Sequence, residues 1–262
     1  MSDWTARQRA MLAEMGTPLW FVPPVQPAVE WPLEAQAVAP AAPAAVPVPV
    51  AVAHVEPKQE TSKQPSAVVA MDWPALREAV AGCRACGLCE SRTQTVFGVG
   101  HLQAHWMVVG EAPGEQEDRQ GEPFVGKSGQ LLDNMLGALG LSRSAAEGVD
   151  DPARQVYIAN TLKCRPPGNR NPLPEELKEC EPYLVRQIEL VQPKIILAMG
   201  RFAVQSLLRS NEPIGKLRGR VHRFQGVPLI VTYHPAYLMR NLEDKAKAWD
   251  DLCLARITHE GV

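Results

Sequence analysis

Four short apolar runs, at residues 105–109, 155–159, 194–199 and 228–232, are rich in Val, Ile or Leu, and each leads into polar or glycine-bearing sequence. Runs of that length and continuity suit strands buried on both faces, as in a parallel sheet. Between them the sequence predicts helices over 128–139, 174–191 and 201–208. The second has Pro172 and Pro174 near its start and Glu175 and Glu176 in its first turn, where the helix dipole favours negative charge. This alternation implies a three-layer α/β/α sandwich with a central, mostly parallel four-stranded sheet. Ligands of such sheets bind beyond the carboxyl ends of the strands. The stretches found there, 110–118, Asn160, Gly200 and 232–240, are therefore expected to converge on one rim.

The alternating region spans 71–262. Ahead of it, residues 21–70 are mostly Ala, Pro, Val, Gln and Lys, with almost no aromatic residue after Trp31. Such a composition buries too little apolar surface to offset chain entropy, so a disordered linker is expected. Residues 3–20 read as a short amphipathic helix with Trp4, Met11, Leu12, Met15 and Trp20 as its apolar members. The first residues carry Asp3 and Glu14 and lack the apolar core of a secretory signal. The apolar run 35–53 is broken by Pro40, Pro43, Pro47 and Pro49, which argues against a membrane span. A cytoplasmic location is expected, and in that compartment six cysteines point to metal ligation rather than disulfides. The net charge of -2 means that any nucleic-acid role must rest on a local basic patch.

Cys83 and Cys86 form a C-x2-C pair, and Cys164 and Cys180 follow with fifteen residues between them. Two such pairs supply four thiolates to one zinc ion or one iron–sulfur cluster, and spacing does not separate these two readings. A ferredoxin run starting at Cys83, Cys86 and Cys89 would need Cys and Pro next, but Thr93 and Gln94 stand there. Cys89 and Cys253 are left as unligated core thiols.

The segments G-E-A-P-G-E-Q-E-D (110–118), G-E-P-F-V-G-K-S-G-Q-L-L (121–132), N-T-L-K-C-R-P-P-G-N-R-N-P (160–172) and H-P-A-Y-L-M-R (234–240) together resemble the family 4 uracil-DNA glycosylases of bacteria. The resemblance runs from about 75 to 255, with the motifs in order and four cysteines in register. It implies a 4Fe–4S cluster on Cys83, Cys86, Cys164 and Cys180. It also implies a monomeric hydrolase that flips uracil out of DNA and leaves an abasic site, as in base excision repair. Phe124 then supplies the aromatic platform for the base, Asn160 reads its edge beside Gly110, and His234 donates to the anion developing on the departing base. Glu111 and Glu117 fall in the pocket, as water-orienting, sugar-stabilising or thymine-excluding groups. Ala112 stands where the best-known uracil glycosylases carry a water-activating aspartate. Outside such a motif set, Phe124 would read as core, Asn160 as a turn former and His234 as a loop residue.

DNA contacts are expected from Arg165, Arg218, Arg220 and Arg240, and from Lys127 and Ser128 at a helix start. They belong to a wider basic set with Lys163, Arg170, Arg209, Lys216 and Arg223. Tyr237, Leu238 and Met239 are expected to fill the space left by the flipped base. A different class of function, a DNA-binding or replisome-adaptor protein with this fold and no activity, is disfavoured by the joint presence of Phe124, Asn160 and His234. A suicide branch that links covalently to DNA is disfavoured because 121–130 runs without its basic insertion. Residues 7–20 are similar to the N-terminal peptide of the psi subunit of the bacterial replicative clamp loader, which implies a docking arm on a flexible spacer.

Overall fold

The computed structural model describes residues 68–144 and 151–261, so the helix expected at 3–20 and nearly all of the linker lie outside the described residues. Val68, assigned to the linker by composition, is buried beside Leu76, Val80, Phe97 and Tyr183. The described elements run α1 (Trp73–Ala81), α2 (Leu88–Ser91), β1 (Val99–Gly100), β2 (Trp106–Gly110), α3 (Glu115–Gln120), α4 (Lys127–Ala138), β3 (Val156–Asn160), α5 (Pro174–Val191), β4 (Ile195–Met199), α6 (Arg201–Leu208), α7 (Ile214–Leu217), β5 (Val221–Phe224), β6 (Val227–Thr232), α8 (Pro235–Leu238) and α9 (Lys245–Glu260).

The sheet has the order β1-β3-β2-β4-β6-β5. Its inner four strands are parallel, as expected. Two antiparallel edge strands extend it to six, a departure from the four-stranded expectation. Both were hidden from a search for buried apolar runs: β1 is two residues long, and β5 alternates exposed and half-buried positions.

Strand periodicity sorts the core into two layers. One set, Trp106, Val108, Val156, Ile158, Ile195, Leu197 and Ile230, packs with Leu132, Met135 and Leu136 of α4 and with Ala248 and Leu252 of α9. The alternate set, Met107, Val109, Tyr157, Ala159, Ile196, Ala198 and Val231, packs with Leu184 and Ile188 of α5 and with Val204 and Leu207 of α6. Helices thus cover both faces, and full burial of each such aliphatic side chain contributes about 1.5–3 kcal/mol. α9 had no clear apolar face in sequence because Asp251, with no exposed surface, lies on its buried side. There the Asp251 carboxylate accepts from Arg218 Nε (3.0 Å) and Gly219 N (3.0 Å). No described helix is long and apolar enough to cross a membrane.

Candidate active site

Register brings the candidate residues together. Gly110 pairs with Asn160 at the carboxyl ends of β2 and β3, and Met199 pairs with Thr232 at those of β4 and β6. The chain leaves β2 for β3 on one side and returns to β4 on the other, which makes these ends the switch point at which sheets of this topology take their ligands. Gly110 is required there: a Cβ on it would lie 2.4 Å from Asn160 Oδ1 and 2.6 Å from Phe124 Cζ. Phe124 has φ 55, a left-handed conformation unusual for an aromatic residue. Gly129 of α4 makes room for it, since a Cβ at 129 would lie 1.7 Å from the Phe124 carbonyl oxygen.

The Phe124 ring stacks on His234, with centroids 5.4 Å apart and planes inclined by 28°. Asn160 is buried, and among the described residues its Oδ1 has no hydrogen-bond partner. An orphaned buried acceptor costs about 1–3 kcal/mol, so Asn160 Oδ1 is open to a donor from outside the chain.

His234 caps α8, and its Nδ1 accepts the Ala236 N–H at 3.2 Å. A backbone amide only donates, so in the neutral ring the proton sits on Nε2, which is then free to donate. Burial pushes the His234 pKa down to about 4, Glu117 opposes that shift, and the Arg240 charge adds to it. The residue keeps some solvent contact, but its ring stands between Phe124 and Gly200.

The two acidic residues differ. Glu117 accepts from Gly114 N (3.0 Å), Val125 N (3.0 Å) and Gly126 N (3.2 Å), joining the 110–118 loop to the loop that carries Phe124. Glu111 has its carboxyl pushed up by burial, against the pull of Arg201 at the start of α6. Arg201 was missed in the sequence; the signal available was its place directly after Gly200 at a strand end. Glu117→Gln is expected to leave backbone N–H groups facing an amide, costing about 1–3 kcal/mol for each one orphaned. A fall in melting temperature followed by circular dichroism, with a weaker Phe124 platform, is the expected outcome.

Cys83, Cys86, Cys164 and Cys180 line one cavity, together with Cys89, Arg92, Lys163 and Tyr183. Cys83 and Cys86 lie between α1 and α2, Cys164 follows β3, and Cys180 projects from α5. Arg92 Nη1 donates to Cys164 Sγ (3.1 Å) and the Lys163 N–H to Cys180 Sγ (3.4 Å). Burial pushes the Cys180 thiol up to about 12 and raises those of Cys164 and Cys86. Thiols so placed become thiolates when a metal group supplies the balancing charge. Among the described residues, no three His, Cys, Asp or Glu side chains are set to hold a single metal ion. Four soft thiol donors around one cavity suit a zinc ion or an iron–sulfur cluster.

The expected DNA-facing residues divide. Lys127 at the start of α4 and Arg240 are exposed. Ser128 Oγ reaches Met239 Sδ at 3.8 Å, which brings the α4 start against the 234–240 loop. Arg165 binds Asn169 Oδ1 (2.7 Å), with Glu115 Oε2 at 3.8 Å. Arg218 is tied to Asp251 and the Lys247 carbonyl, whereas Arg220 is exposed, 4.0 Å from Glu212. Arg170 and Arg209 pair with Glu176 and Glu181. Lys163, grouped with the basic set in sequence, is buried and no part of that surface. Leu238, expected in the wedge, has no exposed surface and joins the core, leaving Met239 as the exposed apolar tip. Tyr237 stacks on Tyr233 (5.0 Å) and donates to Asp244 Oδ2 (2.7 Å).

Comparison with known proteins matches residues 97–253 to the Uracil DNA glycosylase superfamily. A type-4 uracil-DNA glycosylase of Archaeoglobus fulgidus is 42% identical over 168 residues, covering 61% of this chain and 79% of the relative. That of Thermotoga maritima is 40% identical over 174 residues, covering 66% and 85%. That of Pyrobaculum aerophilum is 38% identical over 192 residues, covering 70% and 93%. A chain with this sheet, this convergence of strand ends and this likeness over most of its relatives' length belongs to the uracil-DNA glycosylase superfamily and, within it, to the type-4 group.

Proposed function

We infer that this chain is a hydrolase that excises uracil from DNA, taking the base out of the stack and leaving an abasic site. The observation that carries the reading is the Phe124–Asn160–His234 constellation, with an unsatisfied Asn160 Oδ1 facing the platform side of the crevice. A flat base needs a face to lie on, and Phe124 offers one. Uracil presents an N–H flanked by carbonyls, and an amide side chain meets that pattern with one acceptor and one donor. As the glycosidic bond breaks, negative charge gathers on the base, and the His234 Nε2–H is preorganised to receive it. Glu117 holds the two loops in place, and Glu111 is assigned to the substrate side of the pocket. Lys127, Ser128, Arg165, Arg220, Arg240 and Met239 form the DNA-facing rim, with Arg218 and Tyr237 behind it.

Cys83, Cys86, Cys164 and Cys180 are assigned to a 4Fe–4S cluster, which when bound cross-links α1, α2, α5 and the segment after β3. Residues 7–20, through their likeness to the clamp-loader psi peptide, are assigned to replisome docking, and the enzyme to the cytoplasm as a monomer.

The test is cleavage of a labelled single-uracil oligonucleotide, with hot alkali to break abasic sites. Wild-type protein should cleave it, and Asn160→Ala should cleave about ten- to a hundredfold more slowly, the loss expected for a hydrogen bond to a group gaining charge. No cleavage by iron-loaded wild type would favour the inactive-adaptor reading.

A further inference from the structure

Lys163 is one of the largest fully buried side chains in the described residues, with 1% of its surface exposed. Its Nζ donates to the Asn160 carbonyl (2.8 Å) and to Gln187 Oε1 (2.6 Å). Gln187 has no exposed surface and is locked in turn, donating from Nε2 to the Phe97 carbonyl (2.9 Å) and to Tyr157 Oη (3.1 Å). Burial pushes the Lys163 pKa down to about 8, against the pull of Cys180 and Cys164. A buried cation is strongly unfavourable without a compensating anion, and a lysine in a core position is a costly choice if packing alone is needed.

The backbone makes the connection short. Asn160 ends β3, and Thr161 N and Leu162 N continue its pairing to the carbonyls of Gly110 and Glu111. The next residue is Lys163, whose own N–H binds Cys180 Sγ, and Cys164 follows it. One residue therefore touches both the strand end that carries Asn160 and the Cys180 thiol of the cavity.

We propose that Lys163 is a positioning residue that couples the cysteine cavity to the pocket: its side-chain ammonium clamps the Asn160 carbonyl while its backbone N–H holds Cys180 Sγ. This rests on the roles given above to Asn160 and the four cysteines. A cluster held by Cys164 and Cys180 would steady the backbone at 163–164, and Lys163 would pass that hold to the strand end that carries Asn160; loss of its two side-chain hydrogen bonds loosens that end.

The experiment uses the full chain and compares wild type, Lys163→Met, Asn160→Ala and the double variant. Met keeps most of the aliphatic length and removes the charge and both donated hydrogen bonds. Iron content, kcat and KM per iron-loaded enzyme on a single-uracil oligonucleotide, and the rate of iron release to a ferrous chelator are measured for each. Lys163→Met should lower kcat tenfold or more with KM little changed, because the lost interaction matters at the transition state. It should release iron several-fold faster, and adding it to Asn160→Ala should cost little more. Wild-type kcat per iron in Lys163→Met, or losses that multiply in the double variant, would overturn the proposal. If Lys163→Met fails to fold, Lys163→Gln is judged by the same criteria. A wild-type rate for Asn160→Ala, or iron-free wild type, would instead sink the underlying reading, and this one with it.

Discussion

His234→Ala is expected to fold normally and to lose about two to three orders of magnitude in kcat on uracil-containing DNA, the usual effect of removing a preorganised donor to a developing anion. KM should change little, because the interaction strengthens only as charge moves onto the base. The pH profile distinguishes this role from imidazolium catalysis. With a pKa near 4, His234 is neutral through the working range and carries its proton on Nε2, available to donate. The profile of kcat should therefore show no limb near 6.5, where an unperturbed histidine titrates. An activity rise on acidification through 6.5 would contradict the neutral-donor assignment. Stability should show the opposite face of the same shift. Between about 6.5 and 4 the unfolded histidine takes up a proton that the folded one does not, so acidification through that window favours unfolding.

Cys180→Ser should remove iron and soluble protein together, with activity falling to background. Cys180 is buried in α5, and its thiol receives the Lys163 N–H. A serine there gives a hard oxygen donor to a site of soft thiolates, and binding free energy in such sites is folding free energy. Iron analysis and circular dichroism of purified Cys180→Ser are the measurements. A folded, iron-depleted but soluble variant with no activity would mean that the cluster acts beyond holding the fold.

The inner strands, α4, α5 and α6 were legible because their signals are local: unbroken apolar runs, proline at a helix start, glycine at a strand end. Convergence of Gly110, Asn160, Gly200 and His234 followed from the rule that parallel strands present their carboxyl ends together. What escaped were features set by partners distant in sequence. The burial of Asp251 depends on Arg218, 33 positions away, which disguised α9 and withdrew Arg218 from the exposed charge. Leu238 faces the core because four-residue α8 packs on α4. Lys163 reads as a surface cation until its partners at Asn160 and Gln187 are known. A charge count along the chain carries no information about such pairings.

The backbone of Phe124, held at φ 55 between glycines at 110 and 129, has a consequence for where the work of recognition is done. If Phe124 receives the base as proposed, a backbone held in this way has little conformational entropy left to lose when the base arrives. The energetic cost of capture then falls on the nucleic acid, as unstacking and unpairing of about a few kcal/mol, least where the uracil is already unpaired. On the proposed reading, lesion search then depends on how readily DNA opens, with Asn160 left to read the edge of the base that arrives.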